Sequence, residues 1–189
     1  MIPTCTAQAL KEWAAVCAAL REGKQVFLLR KGGIHERCGE FSVEHDAFFL
    51  YPTWEHQKKQ MLRASMRAAI ADTLTRPPNG AALRIDTFAE VEEIRQIQNS
   101  DALFQIKDEH VWNEAYLQMR VDYKPENPLY LLILRAYRMV QPVDLQELPR
   151  YAGCRSWVRL EEELSTNAVE PALSDQAFAK KLRRLQDVR

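Results

Sequence analysis

Within Tyr51-Pro-Thr-Trp-Glu-His-Gln57 a hydroxyl, a carboxylate, an imidazole and an amide crowd into one short stretch. Thr53 can cap a helix, and Glu55 then falls in the first turn, where a negative charge suits the helix dipole. His56 and Gln57 have no such structural role in the sequence. A helix N-terminus favours an anion, so the cluster suits phosphate binding, with Glu55 or His56 as a general base if a reaction follows. A second cluster is Arg30-Lys31-Gly32-Gly33. Two cations are followed by two residues that can bring backbone amides close to a phosphate or carboxylate. The order is not that of a P-loop, because no Ser or Thr follows the lysine. The plainer alternative is a glycine turn beside surface charges.

Other chemistries have thinner support. His35-Glu-Arg-Cys38 offers one pair of metal ligands, and no second pair has zinc-site spacing, so neither a metal nor a cofactor is expected. Glu22-Gly-Lys24 has the spacing of a nuclease Glu-x-Lys, but Asp46 follows it where such sites place an Asp before. No Gly-x-Ser-x-Gly is present. Of the cysteines Cys5, Cys17, Cys38 and Cys154, the last is the candidate for a lowered thiol pKa, with Arg155 beside it.

The 189 residues carry 26 basic and 26 acidic side chains, so the formal charge is zero. That excludes a histone-like coat of positive charge and leaves local clustering open. The zero is a cancellation. Residues 1–76 are net +3, residues 77–128 net −5 and residues 129–189 net +2. The hydrophobic fraction of 47% excludes a mainly disordered chain. The longest strongly apolar run, Leu129 to Leu134, is too short to cross a bilayer. Met1-Ile-Pro-Thr does not begin a signal peptide, which points to the cytoplasm and to free thiols.

The elements that must position the clusters follow from periodicity. Residues 7–22 read as an amphipathic helix with Leu10, Trp13, Ala14, Cys17 and Leu20 on one face; Lys11 and Glu12 lie off that stripe. Gln25 to Arg30 reads as a buried strand. Phe41 to His45 and Ala47 to Tyr51 read as a hairpin turning at His45-Asp46. Thr53 to about Leu74 reads as a helix, closed by Arg76-Pro-Pro-Asn-Gly80. Leu83 to Ile94 is strand-like, residues 95–123 hold one or two short helices, and Leu129 to Tyr137 is a central strand. Ser156 to Leu160 reads as an edge strand, and Ser174 caps a last helix to about Val188. Strands and helices do not alternate regularly, so the expected class is α+β: a curled, mostly antiparallel mixed sheet, or a small barrel, with flanking helices. Residues 1–165 are expected to form one domain, with 166–189 a helical appendage.

Ala9-Leu-Lys-Glu-Trp-Ala, Gly23 to Gly33, Phe49 to Gln57, Leu132-Ile-Leu-Arg-Ala-Tyr137 and Gly153-Cys-Arg-Ser-Trp-Val158 together resemble the bacterial domain-of-unknown-function family eighteen-oh-two. That resemblance covers nearly the whole chain and implies no activity. Trp13 to Lys24, followed by a strand ending in Arg30, more distantly resembles the opening of the ASCH domains, PUA-like β-barrels associated with RNA. Lys24 follows Gly23 directly, and Leu28 stands where that family has a Glu, which puts the amidohydrolase role of its catalytic members in doubt.

The expected function is binding of RNA, DNA or a nucleotide. Arg30, Lys31, Gly32 and Gly33 form the anion cradle with Arg135 from a neighbouring strand. His56 and Gln57 read the base or sugar, and His45 and Thr53 are further ligand-binding candidates. The alternatives are a phosphodiesterase or nuclease, with or without metal, using Glu55, His56 and Lys31, and a non-catalytic partner-binding protein. The oligomeric state is open.

Overall fold

The computed structural model describes residues 3–31, 44–68, 70–75, 77, 82–153 and 156–188. Among these residues seven strands form one mixed sheet: β1 (Cys5–Trp13), β2 (Phe27–Arg30), β3 (Ala47–Thr53), β4 (Leu83–Ile97), β5 (Leu129–Leu145), β6 (Trp157–Ser165) and β7 (Val169–Pro171). Among the described residues five helices accompany them: α1 (Ala14–Arg21), α2 (Ala64–Arg67), α3 (Asp101–Gln105), α4 (Glu114–Asp122) and α5 (Asp175–Arg184). The strand order is β2-β5-β4-β3-β1-β6, with β7 on β5. Of the strand pairs just named, β1 and β3 run parallel and the others are antiparallel. The class is therefore α+β, and the path is open, with β2 and β6 at its ends.

Leu131 to Leu134 of β5 are completely buried, because this strand is flanked by β2 and β4 and covered on both faces. The main core joins the sheet to α1, α3, α4 and α5, through Leu20, Leu50, Leu103, Leu117, Phe178 and Leu185 among others. A second cluster, including Ala9, Phe49, Phe88, Val158 and Leu160, is made almost wholly of strand residues. Successive residues of β3 alternate between the two, Phe48 and Leu50 in one, Phe49 and Tyr51 in the other. A sheet that buries strand side chains on both faces must curl over itself, and register shifts at Ile85/Thr87 and Val91/Glu93 of β4 supply places to bend.

Two expectations are corrected. The first helix does not begin at residue 7. Residues 5–13 form β1, held between β3 and β6, and only Ala14–Arg21 is helical. Helix-forming residues are overridden there by backbone pairing with two neighbours. Leu10, Cys17 and Leu20 still share one core. The long helix over 53–74 is absent. His56 takes φ +60 and turns the chain. Leu62 then makes a β-bridge to Trp112, Arg63 N donates to the Val111 carbonyl, and Asn113 N donates to the Met61 carbonyl. Those partners use backbone groups that a helix would need, so only the single turn of α2 and two 3-10 turns form.

The strand at Ala47–Tyr51 is present as part of β3, while residues 41–43, its expected hairpin partner, lie outside the described residues. β4, β5 and β6 all run longer than periodicity suggests, and β6 is the expected edge strand. Ser174 caps α5 by accepting from Ala177 N. Gly23 ends α1 at φ +65, and a Cβ there would meet Leu173 Cδ2 at 2.5 Å, so the segment leading into α5 packs directly on this glycine. Among the described residues no helix is long and apolar enough to cross a membrane.

Candidate ligand pocket

The end of β1, the end of β2, the turn after β3 and one face of α4 meet around a pocket of about 310 Å³. Its lining includes Lys11, Glu12 and Trp13 from β1, Arg30 from β2, Thr53, His56 and Lys58 after β3, and Tyr116 and Arg120 from α4. The parallel pairing of β1 with β3 sets Trp13 opposite Thr53 and so brings the first two groups together. A sequence separation of some forty residues is closed by that register.

The floor is an ion pair. Arg30 holds Glu12 Oε2 at 2.9 Å, and Glu12 Oε1 accepts from Trp13 N at 2.8 Å. Both side chains are mostly buried. Lys11 is 8% exposed; its Nζ donates to the Gly153 carbonyl at 2.9 Å and stands 4.0 Å from Glu55. Lys58 is exposed at the mouth. The pocket thus presents Lys11, Arg30, Lys58 and Arg120 against one lining carboxylate, Glu12, which Arg30 already engages. The Nε groups of Arg30 and Arg120 are buried without a hydrogen-bond partner. Such donors cost stability unless an acceptor reaches them.

One wall is aromatic. Trp13 lies 5.0 Å from Tyr116, centroid to centroid, and Tyr116 stacks on Trp112 at 5.0 Å and 10°. The series braces Trp13 from behind and leaves it half-buried at the pocket. Burial, and then Glu12, push the Tyr116 hydroxyl pKa well up, so Tyr116 stays neutral at physiological pH. What the arrangement can do chemically is bind a flat, apolar group that carries an anion.

Arg30, Thr53 and His56 of the sequence-derived residues line this pocket. Thr53 Oγ1 accepts from Glu55 N and shapes the turn in which His56 adopts its positive φ. Gln57 is occupied structurally. Its Oε1 accepts from Ala15 N in the first turn of α1, and its Nε2 donates to the Thr73 carbonyl. Lys31 donates to the Val121 carbonyl at the end of α4. Burial, then the nearby Arg120, lower the Lys31 pKa. His45 packs edge-on against Trp157 at 5.1 Å. Arg135 pairs with Asp175 at 2.5 Å and lies over the Phe178 ring. β5 does neighbour β2, but Arg135 is five positions along from Tyr130, the register partner of Arg30. Gly32, Gly33, His35, Cys38, Cys154 and Arg155 lie outside the described residues.

Lys11, Glu12, Lys58 and Arg120 are the charged lining groups that the sequence reading missed. As strand residues, Lys11 and Glu12 fall next to Trp13 in the pocket; as helix residues they would lie on a solvated face. Among the described residues no cluster of three or more His, Cys, Asp or Glu could hold a metal.

The family model for the Domain of unknown function (DUF1802) matches residues 9–184. No curated protein matches the chain. Among solved structures the chain is similar to the ASCH protein of Zymomonas mobilis, at 14% identity over 94% of each chain with a TM-score of 0.44. Two single-residue variants of that protein match at 16% and 13% identity. One match covers 97% of this chain and 99% of that one, with a TM-score of 0.44. The other covers 94% and 96%, with a TM-score of 0.47.

Proposed function

The chain belongs to the Domain of unknown function (DUF1802) family, and we propose that its pocket binds a nucleotide unit, free or at the end of a nucleic-acid strand. The phosphate is taken by Arg30, Lys58 and Arg120, and the base lies against Trp13. One observation carries the reading: Arg30, Thr53 and His56, from two separate polar clusters, come together with three further cations beside a braced aromatic wall. A pocket of this volume is at the small end of ligand sites and suits one nucleotide. The original cradle is narrowed accordingly. Lys31, Gln57, His45 and Arg135 keep the structural partners described above and take no part in this reading.

A hydrolytic reading has one observation in its favour. The Glu55 carboxylate comes within 4.0 Å of the pocket-lining Lys11 ammonium, next to His56. Glu55 would then serve as the base for attack on a phosphodiester.

The test is a titration with adenosine 5′-monophosphate by calorimetry at low salt. Wild-type protein is expected to bind, with affinity falling as salt rises. Lys58→Ala and Arg120→Ala, both outside the core, are each expected to weaken binding roughly tenfold, the scale of one charge-assisted hydrogen bond. Absence of binding, or full affinity in both variants, would contradict the proposal. Cleavage of a phosphodiester probe that is lost in Glu55→Ala would add the hydrolytic reading, and no cleavage with or without divalent metal removes it.

A further inference from the structure

Arg120 lines the pocket, and its guanidinium carbon also lies 5.9 Å from the ring centroid of Tyr123. Tyr123 is 51% exposed, just past the end of α4, and the Lys124 ammonium covers its ring from 5.7 Å. Met119, which lines the pocket and is 40% exposed, stands one helical turn before Tyr123. At that spacing two residues are neighbours on a helix surface, with Cβ atoms about 6 Å apart. Two of the large apolar side chains that the protein leaves exposed are therefore contiguous with the pocket rim.

Backbone strain picks out the same two places. Among the described residues only His56, at φ 60, and Lys124, at φ 46, are non-glycines with positive φ. The first lines the pocket, and the second carries the ammonium over Tyr123. Left-handed backbone at a lysine costs free energy, and such residues gather at functional sites. Asp122 and Glu126 lie nearby; Asp122 accepts from Gln118 Nε2 at 2.9 Å, while Arg120 and Lys124 are the charges at the ring itself.

Resting on the proposed nucleotide pocket, we infer that Tyr123 is a second stacking platform, and that the ligand is an oligonucleotide strand rather than a free mononucleotide. One nucleotide occupies the pocket. The next base of the same strand stacks on Tyr123, and the phosphate between them meets Arg120. An exposed aromatic ring with cations close by is what a sequence-tolerant stacking site requires, since every base has a π-face. Continuity with the pocket through Arg120 selects a strand as the occupant over a separate protein partner.

The experiment compares adenosine 5′-monophosphate with the 5′-phosphorylated tetraadenylate on wild type, Tyr123→Ala and Tyr123→Phe. The tetraadenylate is expected to bind wild type more tightly than the mononucleotide. Tyr123→Ala should lose about tenfold for the tetraadenylate, within the range of one stacked base, and nothing for the mononucleotide. Tyr123→Phe should keep both affinities. If the mononucleotide binds and the tetraadenylate binds no tighter, or if Tyr123→Ala weakens both equally or neither, the second platform is wrong and the pocket stands. If neither probe binds, the pocket reading falls and the platform with it.

Discussion

His110 lies 2% exposed between Phe27 and Trp112. Burial, reinforced by Arg63, brings its pKa from 6.5 down to about 4. The unfolded chain takes up a proton near 6.5 and the folded one only near 4, so between those values the unfolded state holds more protons. Falling pH therefore removes stability across that window, by about 3 kcal/mol in all. Urea midpoints measured from pH 7 to pH 4 should show this slope in wild type. His110→Phe should flatten it, whatever the substitution does at neutral pH; an unchanged slope would refute the assignment. At this scale the sequence was a fair guide to residue types and a poor guide to their duties. Gln57 stood out as an amide without a structural role, yet it caps Ala15 and holds Thr73. Both partners are remote in the chain, and no local pattern announces them. Lys31 likewise stands beside Arg30 in the sequence as a twin cation, but it lies just past the end of β2 and donates to the Val121 carbonyl of α4.

Element by element, legibility followed how local each element's determinants are. The apolar run of β5 and the Ser174 cap of α5 are local signals, and both elements are present where they were expected. β1 and the segment after Thr53 are decided by distant partners, β3 and β6 for one and residues 111–113 for the other. Reading β1 as a helix is what hid Lys11 and Glu12. The docking of α5 can be tested by itself. Glu109, 4% exposed, accepts from Lys181 at 2.7 Å and from Arg184 at 2.5 Å, while Lys181 also donates to the Lys24 carbonyl. Burial alone would raise the Glu109 pKa, but the hydrogen bonds and charges of Lys181 and Arg184 outweigh it and hold the carboxyl below its ordinary value. A carboxyl whose folded pKa is depressed stabilises above its unfolded pKa, and that stability is lost as pH falls through the folded value. Glu109→Gln should cost about 1–3 kcal/mol at neutral pH. The gap between variant and wild type in chemical denaturation should close below about pH 4. A gap that persists undiminished into acid would show that the ionised carboxylate is not what holds α5.

For the whole molecule, a net charge of zero hides a pocket in which four cations face one carboxylate. Lys11, Arg30 and Lys58 come from the basic first third, and Arg120 comes from the acidic middle. Segment counting located the first three in a basic region, but only the tertiary arrangement of α4 against β1 and β2 adds the fourth. Residues 166–188 add β7 to β5 and place Phe178, Leu185 and Val188 in the main core beside Leu20 and Leu131. Neutral overall charge and a local cationic pocket together predict binding that is local and salt-sensitive rather than a spread-out polyanion coat. The most direct check is the map of backbone amide shifts as adenosine 5′-monophosphate is titrated into the isotopically labelled protein. The account predicts saturating shifts at Lys11, Trp13, Arg30, Thr53, His56, Lys58 and Arg120, with His45 and Arg135 unmoved. Shifts centred on Arg135 and α5, or none anywhere at low salt, would contradict it.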